Sequence, residues 1–464
     1  MDLTKEKAKL FHFVGIAGIG MSSIAEAMAK WGFRIQGSND VMDDNIESLR
    51  ELGIQVWIGH EGAHVEGADY VVFSSAVPED NAELAEARRR GIPLIGRASM
   101  LNNVMATKKS ISISGTHGKT TTTSFVGTML DVAGMDPTII DGGIMNRYHS
   151  HNRIGEGDWI VAEACEAFGN LKHLTSDIVV VTNIDPEHME FYHTFDTLEN
   201  YFREFIARIP EGGAFIGCAD HPAVAKLARE FRGKKNVLTY GTIEADITAR
   251  GISTDLAGAH FDARLADGKI IDNLHIPLYG THNVINSLAA IAVAQFFGIG
   301  DEHVRNALAQ FVGTKHRFSR VGEARGATIF DDYAHHPQEI ASTLAMAKSI
   351  AGKGRVLAIF QPHRYTRLSM LFDDFLKCFG DADHVIALPV YAAGEDGAGM
   401  KTHRDLANAM REAGLKNVHA IEDFAEAAPI ISQSARAGDI IVSMGAGSIK
   451  KMIYDLPALL ESAK

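Results

Sequence analysis

The chain has 464 residues, 46% hydrophobic and 22% charged, and its 45 Lys and Arg against 58 Asp and Glu leave a formal net charge of −13. That length suits about three domains of roughly 100–200 residues each, and the acidic balance excludes a general nucleic-acid or membrane-surface binder, because phosphate backbones are held by basic patches. Three scattered cysteines, Cys165, Cys218 and Cys378, lack any metal spacing and argue against structural zinc or a disulfide framework, while the absence of an apolar leader or of a run near ~18 apolar residues places the protein in the cytoplasm as an expectation.

In chain order, LFHFVGI reads as a buried strand that runs into the turn GIAGIGM at 15–21. Its spacing is G-x-x-G-x-G, so the dinucleotide fingerprint G-x-G-x-x-G is not met. Gly15, Gly18 and Gly20 would still let the backbone approach a diphosphate, with Met21-Ser22-Ser23 opening a helix; tight strand–helix packing is the alternative. QGSND then ends a second strand where a ribose-binding acid would sit in a nicotinamide enzyme, and YVVFSSAV is a further strand.

A second glycine turn follows the strand SISIS. GTHGKTTTT, from Gly115, aims successive N–H groups and a helix N-terminus at one point, as phosphate oxygens require. Lys119 adds a charge and Thr120 a hydroxyl for Mg²⁺. The pattern G-x-x-G-K-[ST] is two residues shorter than a full Walker A, and a ligand-free lysine loop is the alternative. The loop is expected to face solvent when no ligand is bound.

WIVAEACEAF and VVVTNIDPEHMEFY place Glu163 and His188 at or beyond strand ends. A carboxylate inside AEA needs a cation, because an unpaired buried charge is expensive. Mg²⁺ prefers oxygen ligands, so His188 is the weaker half of that pair and an interior histidine is the alternative. The basic stretch GTKHRFSRVG interrupts the pattern before TIFDDY, and RVLAIFQ, HVIALPV and DIIVSMG are further strands. Taken alone, HRYTR is equally well a solvated basic loop. The alternation of Val/Ile-rich runs with helical stretches is the βαβ rhythm of an α/β protein with parallel sheets. The two glycine-turn restarts predict separate sheets, with linkers near 105 and 315.

GTHGKTTT, AEACE, TNIDPEHM, GTHNVINSLAA, HRF, DDYAHHP, IFQPHRYTR, VYAAGE and MGAGS occur in this order, and as a set the chain resembles the Mur ligase family over essentially its whole length. The resemblance implies three domains: a Rossmann-like UDP-substrate domain at 1–105, a central P-loop ATPase-like domain with a mostly parallel sheet at 106–315, and a Rossmann-like amino-acid domain at 316–464. It implies that Gly18, Ile19, Gly20, Ser38, Asn39, His60, Ser74, Ser75 and Arg97 hold the UDP part. It implies that ATP meets Gly115, Thr116, His117, Gly118, Lys119, Thr120 and Thr121, then Asn283, Asn286, Arg317 and Asp331. Mg²⁺ would sit on Thr120, Glu163 and His188. His363, Arg364 and Arg367, with Lys119 and His188, would carry the chemistry, and Tyr333, Arg364 and Arg367 would meet the amino acid. Two arginines on neighbouring turns suit a carboxylate.

The implied activity is ATP-dependent joining of L-alanine to the lactyl carboxylate of UDP-N-acetylmuramate through an acyl phosphate, in peptidoglycan precursor synthesis. The amine's proton would pass to His188 or His336. The partners are these small molecules, with neither nucleic acid nor membrane, for a monomer or homodimer. Two rivals stand beside it: a recycling ligase of the same family that attaches a ready-made tripeptide, and a non-catalytic nucleotide-binding paralogue. The second is motivated by a departure, because the family's commonest A-E-A-D-E-S-D reads AEACEAF here, with Cys165, Ala167 and Phe168 replacing Asp, Ser and Asp. QGSND likewise carries Asn39 where the family generally has Asp.

Overall fold

The computed structural model describes residues 1–74, 76–255 and 257–462. The chain divides into two compact units, Met1–Ser253 with Ala257–Thr314 in the first and Lys315–Lys464 in the second.

The first unit holds two sheets. One consists of β1 (Leu10–Val14), β2 (Arg34–Asn39), β3 (Gln55–Ile58), β4 (Tyr70–Phe73) and β5 (Leu94–Gly96) in the order β3-β2-β1-β4-β5, all parallel. Because β1 pairs with both β2 and β4, the glycine turn that follows it opens at the point where the strand order reverses. In open α/β sheets that is where ligands bind.

The other sheet has ten strands: β6 (Lys109–Ser114), β7 (Thr138–Met145), β8 (Ser150–Arg153), β9 (Trp159–Glu163), β10 (Ile178–Val181), β11 (Ala214–Cys218), β12 (Asn236–Gly241), β13 (Ile247–Asp255), β14 (Gly258–Arg264) and β15 (Ile270–Ile276). Their order is β15-β14-β13-β12-β11-β10-β6-β9-β7-β8. β6 lies between β10 and β9, parallel to both, so the second glycine turn also leaves the sheet at a switch point. Antiparallel pairs finish its edges, β7 with β8 and β14 with β15. The central strands are buried on both faces, with Ile111, Ile113, Val161, Ile178 and Val180 at 0% exposure; β10, IVVV, reads as an unbroken apolar run, while β6, KSISIS, buries small serines between its isoleucines.

The second unit is built on β16 (Ser319–Ala324), β17 (Ala327–Asp332), β18 (Val356–Phe360), β19 (His384–Ala387), β20 (Val418–Ala420) and β21 (Ile440–Met444), in the order β16-β17-β21-β18-β19-β20. Only β16 runs antiparallel, against β17. Among the described residues no helix is long and apolar enough to cross a membrane.

Candidate functional site

The turn after β6 is shaped by two glycines that no other residue could replace cheaply. Gly115 has φ +134° and Gly118 φ +80°. A Cβ on Gly115 would collide with Thr182 Oγ1, and one on Gly118 would lie 2.8 Å from Asn286 Oδ1. The helix Lys119–Val132 starts directly after, with Gly118 as its N-cap and no side-chain cap bond on the first backbone N–H groups. The segment that follows β10 braces the turn. His117 N donates to Asn183 Oδ1 at 2.7 Å, Thr182 Oγ1 donates to the His117 carbonyl at 2.7 Å, and Asp185 N donates to Thr116 Oγ1 at 2.8 Å. Asn283 and Asn286 are buried on the helix Thr281–Phe297, linked to each other at 3.4 Å, and Asn286 lies against Gly118.

The expected solvent-facing loop holds for His117, which is exposed, but not for Lys119, whose side chain is 12% exposed: its Nζ donates to the Gly115 and Thr116 carbonyls at 2.5 and 2.9 Å and to Glu166 Oε2 at 2.9 Å. Burial pulls the ammonium pKa down, but Glu166 and Glu163 outweigh it and the net shift is upward. Lys119 is therefore held charged at the turn by a carboxylate that itself is 1% exposed. Thr120 Oγ1 donates to Glu163 Oε2 at 2.7 Å, which joins the end of β9 to the start of the helix. Asp141, on β7, faces the same corner. It accepts from Ser124 Oγ at 2.5 Å, and burial and the nearby Glu163 charge push its carboxyl well up. Sequence reading passed over Asp141; the acid followed by two glycines in TIIDGG was the available signal.

His188 caps the short helix Met189–Tyr192 with φ +56°, and its Nδ1 is 3.6 Å from the exposed Glu190. Among the described residues no group of three His, Cys, Asp or Glu is arranged to hold a metal. The oxygen pair Thr120 and Glu163 still fits Mg²⁺, which is commonly bound by one or two protein oxygens, waters and phosphate.

At the first glycine turn, Gly15 has φ +74° and Gly18 precedes the helix Ile19–Lys30, whose Ile19 is exposed. Asn39 spans the turn, accepting from Ala17 N at 3.2 Å and donating to the Val41 carbonyl at 2.8 Å. An amide can do both, so the Asp-to-Asn departure keeps the turn tied. Arg97 begins the helix Arg97–Met105 and reaches Gly20, where its Nη1 would lie 2.7 Å from a Cβ. Ser38 is fully buried and donates to Glu83 Oε2 at 2.5 Å; His60 Nδ1 lies 3.1 Å from the same oxygen, and His64 Nδ1 lies 2.7 Å from Oε1. His12 Nε2 is 3.5 Å away. Burial pushes the Glu83 carboxyl up, yet the bonds from His12, Ser38 and His64 hold it down at about 2. Glu83 was not legible as part of the site. Ser74 Oγ accepts from Ala76 N at 3.3 Å, and Ser75 lies outside the described residues.

In the second unit, the remaining residues lie before β16 (Arg317), near the end of β17 (Asp331, Tyr333, His336) and after β18 (His363, Arg364, Arg367). Asp331 is fully buried; Oδ2 pairs with His316 Nδ1 at 2.5 Å and Oδ1 has no hydrogen-bond partner. The Arg317 guanidinium lies 5.9 Å over the Tyr333 ring. Arg367 Nη1 donates to His363 Nδ1 at 3.2 Å and to its carbonyl at 3.1 Å, while the His363 ring stacks on Tyr391. Burial and then Arg367 lower His363 to about 4, so its imidazole is neutral at pH 7. Arg364, with φ +72°, projects half-exposed, 4.0 Å from Glu395. His336 caps the helix Pro337–Ala351, accepting from a backbone N–H in a box with Glu339. That occupies the ring of one proposed proton acceptor.

Three stretches match known families: residues 10–109 the Mur ligase family catalytic domain, 113–294 the Mur ligase middle domain, and 316–447 the Mur ligase glutamate ligase domain. UDP-N-acetylmuramate–L-alanine ligases from Azorhizobium caulinodans and Rhodospirillum centenum are 44% and 46% identical, over 97% of this chain and 97% and 94% of theirs. The crystal structure of the UDP-N-acetylmuramate-alanine ligase from Thermotoga maritima superposes with a TM-score of 0.81 at 26% identity, covering 98% of this chain and 100% of that one. A murein peptide ligase from Psychrobacter arcticus shares the fold, with a TM-score of 0.67 at 23% identity over 97% of this chain and 98% of its own. The chain belongs to the Mur ligase family.

Proposed function

We propose that this protein joins L-alanine to the lactyl carboxylate of UDP-N-acetylmuramate, using ATP, in peptidoglycan precursor synthesis. The end-to-end identity of 44–46% to ligases of that name carries the reading, and the geometry around Lys119 supports it. In this reading residues 1–105 bind the UDP part, 106–315 bind ATP and 316–464 bind the amino acid, in the cytoplasm. The turn Gly115–Lys119 cradles phosphate with backbone N–H groups, and Lys119, kept charged by Glu166, stabilises the oxygens of the transferring phosphoryl group. Mg²⁺, held by Thr120 and Glu163 with His188 as a further candidate, supplies neutralising charge there when bound.

The carboxylate attacks the γ-phosphate to give an acyl phosphate and ADP, and the amine of alanine then displaces phosphate. Asn283 and Asn286 lie where they can steady the nucleotide turn. In this reading Arg317 and Asp331 also serve ATP binding. Arg364, 4.0 Å from Glu395, and Arg367 suit the amino acid's carboxylate near Tyr333. The test is ADP formation with UDP-N-acetylmuramate and either L-alanine or L-Ala-γ-D-Glu-meso-diaminopimelate. Turnover with alanine and not the tripeptide is expected; a preference for the tripeptide favours the recycling ligase, and turnover with neither favours the paralogue.

A further inference from the structure

Phe168 stands where the family's commonest motif has an acid, and the structure gives it an unusual setting. Its backbone is left-handed, with φ 53° and ψ 30°, a region that a bulky residue enters at a cost. The ring is nevertheless not buried: it is 52% exposed, beside Phe191 at 37%. The two rings meet edge to face, with centroids 6.3 Å apart, and the His188 imidazole lies 5.9 Å from Phe168. Tyr201 and the fully buried Tyr192 support Phe191 from behind at 6.3 and 5.0 Å.

The position of this aromatic surface matters more than its exposure. Two residues before Phe168, Glu166 holds the Nζ of Lys119 at the phosphate turn, and the Glu166 carbonyl is held by the Tyr192 hydroxyl. After it, the segment packs on the helix Arg97–Met105: Leu171 and Leu174 share a core with Leu101 and Val104, and Thr175 N donates to Asn102 Oδ1 at 2.9 Å. The first residue of that helix, Arg97, lies against Gly20 in the first glycine turn. Phe168 is thus carried on a segment that touches both the lysine of the phosphate turn and the helix that reaches the diphosphate turn.

A substrate with its diphosphate at one turn and its reacting carboxylate at the other must lay its middle portion across the space between. That portion is a pyranose with an N-acetyl group, whose axial C–H face and methyl are apolar. We propose that Phe168, with Phe191, is the platform for the N-acetylmuramoyl ring, a specificity-determining contact that this chain builds with an aromatic ring in place of the family's acid. The inference rests on the proposed substrate.

The test compares full-length Phe168→Gly, Phe168→Tyr and the unaltered protein. Glycine accepts a φ of +53° without strain, so this variant removes the ring while leaving the turn at least as stable. Calorimetric titration with UDP and with UDP-N-acetylmuramate, and KM values for the latter and for ATP, are measured. Loss of the apolar contact should raise Kd and KM for UDP-N-acetylmuramate by about tenfold or more, leave Kd for UDP and KM for ATP within about twofold, and be reversed by tyrosine. An unchanged ratio of the two Kd values in Phe168→Gly overturns the proposal, as does a rise in KM for ATP alone. Failure of the unaltered protein to bind UDP-N-acetylmuramate at all would instead overturn the substrate reading, and this inference with it.

Discussion

Glu83 allows the most direct test of the physical account of the first sheet. It is a carboxylate at 0% exposure whose two oxygens meet Ser38, His60, His64 and His12 within 3.5 Å. Holding it at about 2 instead of the usual 4.5 corresponds to about 3 kcal/mol of differential interaction with its surroundings, at 1.36 kcal/mol per unit. The folded-state value lies below the unfolded one, so this stabilisation is fully present above pH ~5 and is lost as pH falls toward 2. Glu83→Gln keeps the volume, removes the charge, and sets an amide N–H against imidazole N–H groups. Hydrogen exchange of the β1 and β2 amides reads the local opening free energy. At pH 7 the variant's amides should exchange about 300-fold faster, the full equivalent of that lowering, and the ratio between variant and unaltered protein should shrink to roughly tenfold near pH 3. Equal exchange at pH 7, or a gap that does not narrow in acid, would refute the reasoning. Because Ser38 and His60 depend on Glu83 for their orientation, the same variant should also weaken UDP binding.

Lys119→Ala should abolish ADP formation and, unlike a change in an open loop, destabilise the protein by about 3–5 kcal/mol, because Glu166 is left buried without its cation. Adding Glu166→Gln should recover most of the stability in thermal melts and none of the turnover; recovery of turnover would remove Lys119 from the chemistry. Glu163→Ala should raise the Mg²⁺ concentration needed for half-maximal rate by tenfold or more, and His188→Ala should raise it less, since only Glu163 is tied to Thr120. An unchanged Mg²⁺ dependence in both variants would move the metal elsewhere. Arg364→Ala should raise KM for L-alanine by about one to two orders of magnitude, the loss of one charge-assisted hydrogen bond, and leave KM for ATP unaffected, as steady-state kinetics with each substrate varied will show.

The architecture was legible where burial makes strands uniform. β10, β18 and β21 are enclosed on both faces and appear as apolar runs rich in Val and Ile, so the mostly parallel α/β class could be read from the chain, as could the glycine turn after the alternating Ser/Ile strand β6. The edges were not. β8 is the polar segment SHNR and β13 is ITARGISTD, buried at one end and largely exposed at the other; neither makes an apolar run, because an edge or an outlying strand has a face turned to water. The segment Ala167–His173 was equally silent, since its turn depends on a left-handed Phe168 that no turn preference favours.

For the site, legibility followed sequence separation. The second glycine turn could be located because its glycines, lysine and threonine lie within a few residues of one another. What braces that turn comes from far away. Glu166 reaches Lys119 across 47 positions, Asp185 N reaches Thr116 across 69, and Asp141 meets Ser124 across 17. The first two contacts exist because β6 lies between β9 and β10, and the third because β7 lies beyond β9, an order that no local pattern encodes. The same holds for Glu83, whose partners come from β1, β2 and the segment beyond β3. A buried carboxylate in a helix reads from sequence as one more surface acid, and only the sheet order turns it into the anchor of Ser38 and His60. The strand order 3-2-1-4-5 therefore does two things at once: it opens the crevice where the first glycine turn can meet a ligand, and it draws together the polar side chains that hold that crevice in shape.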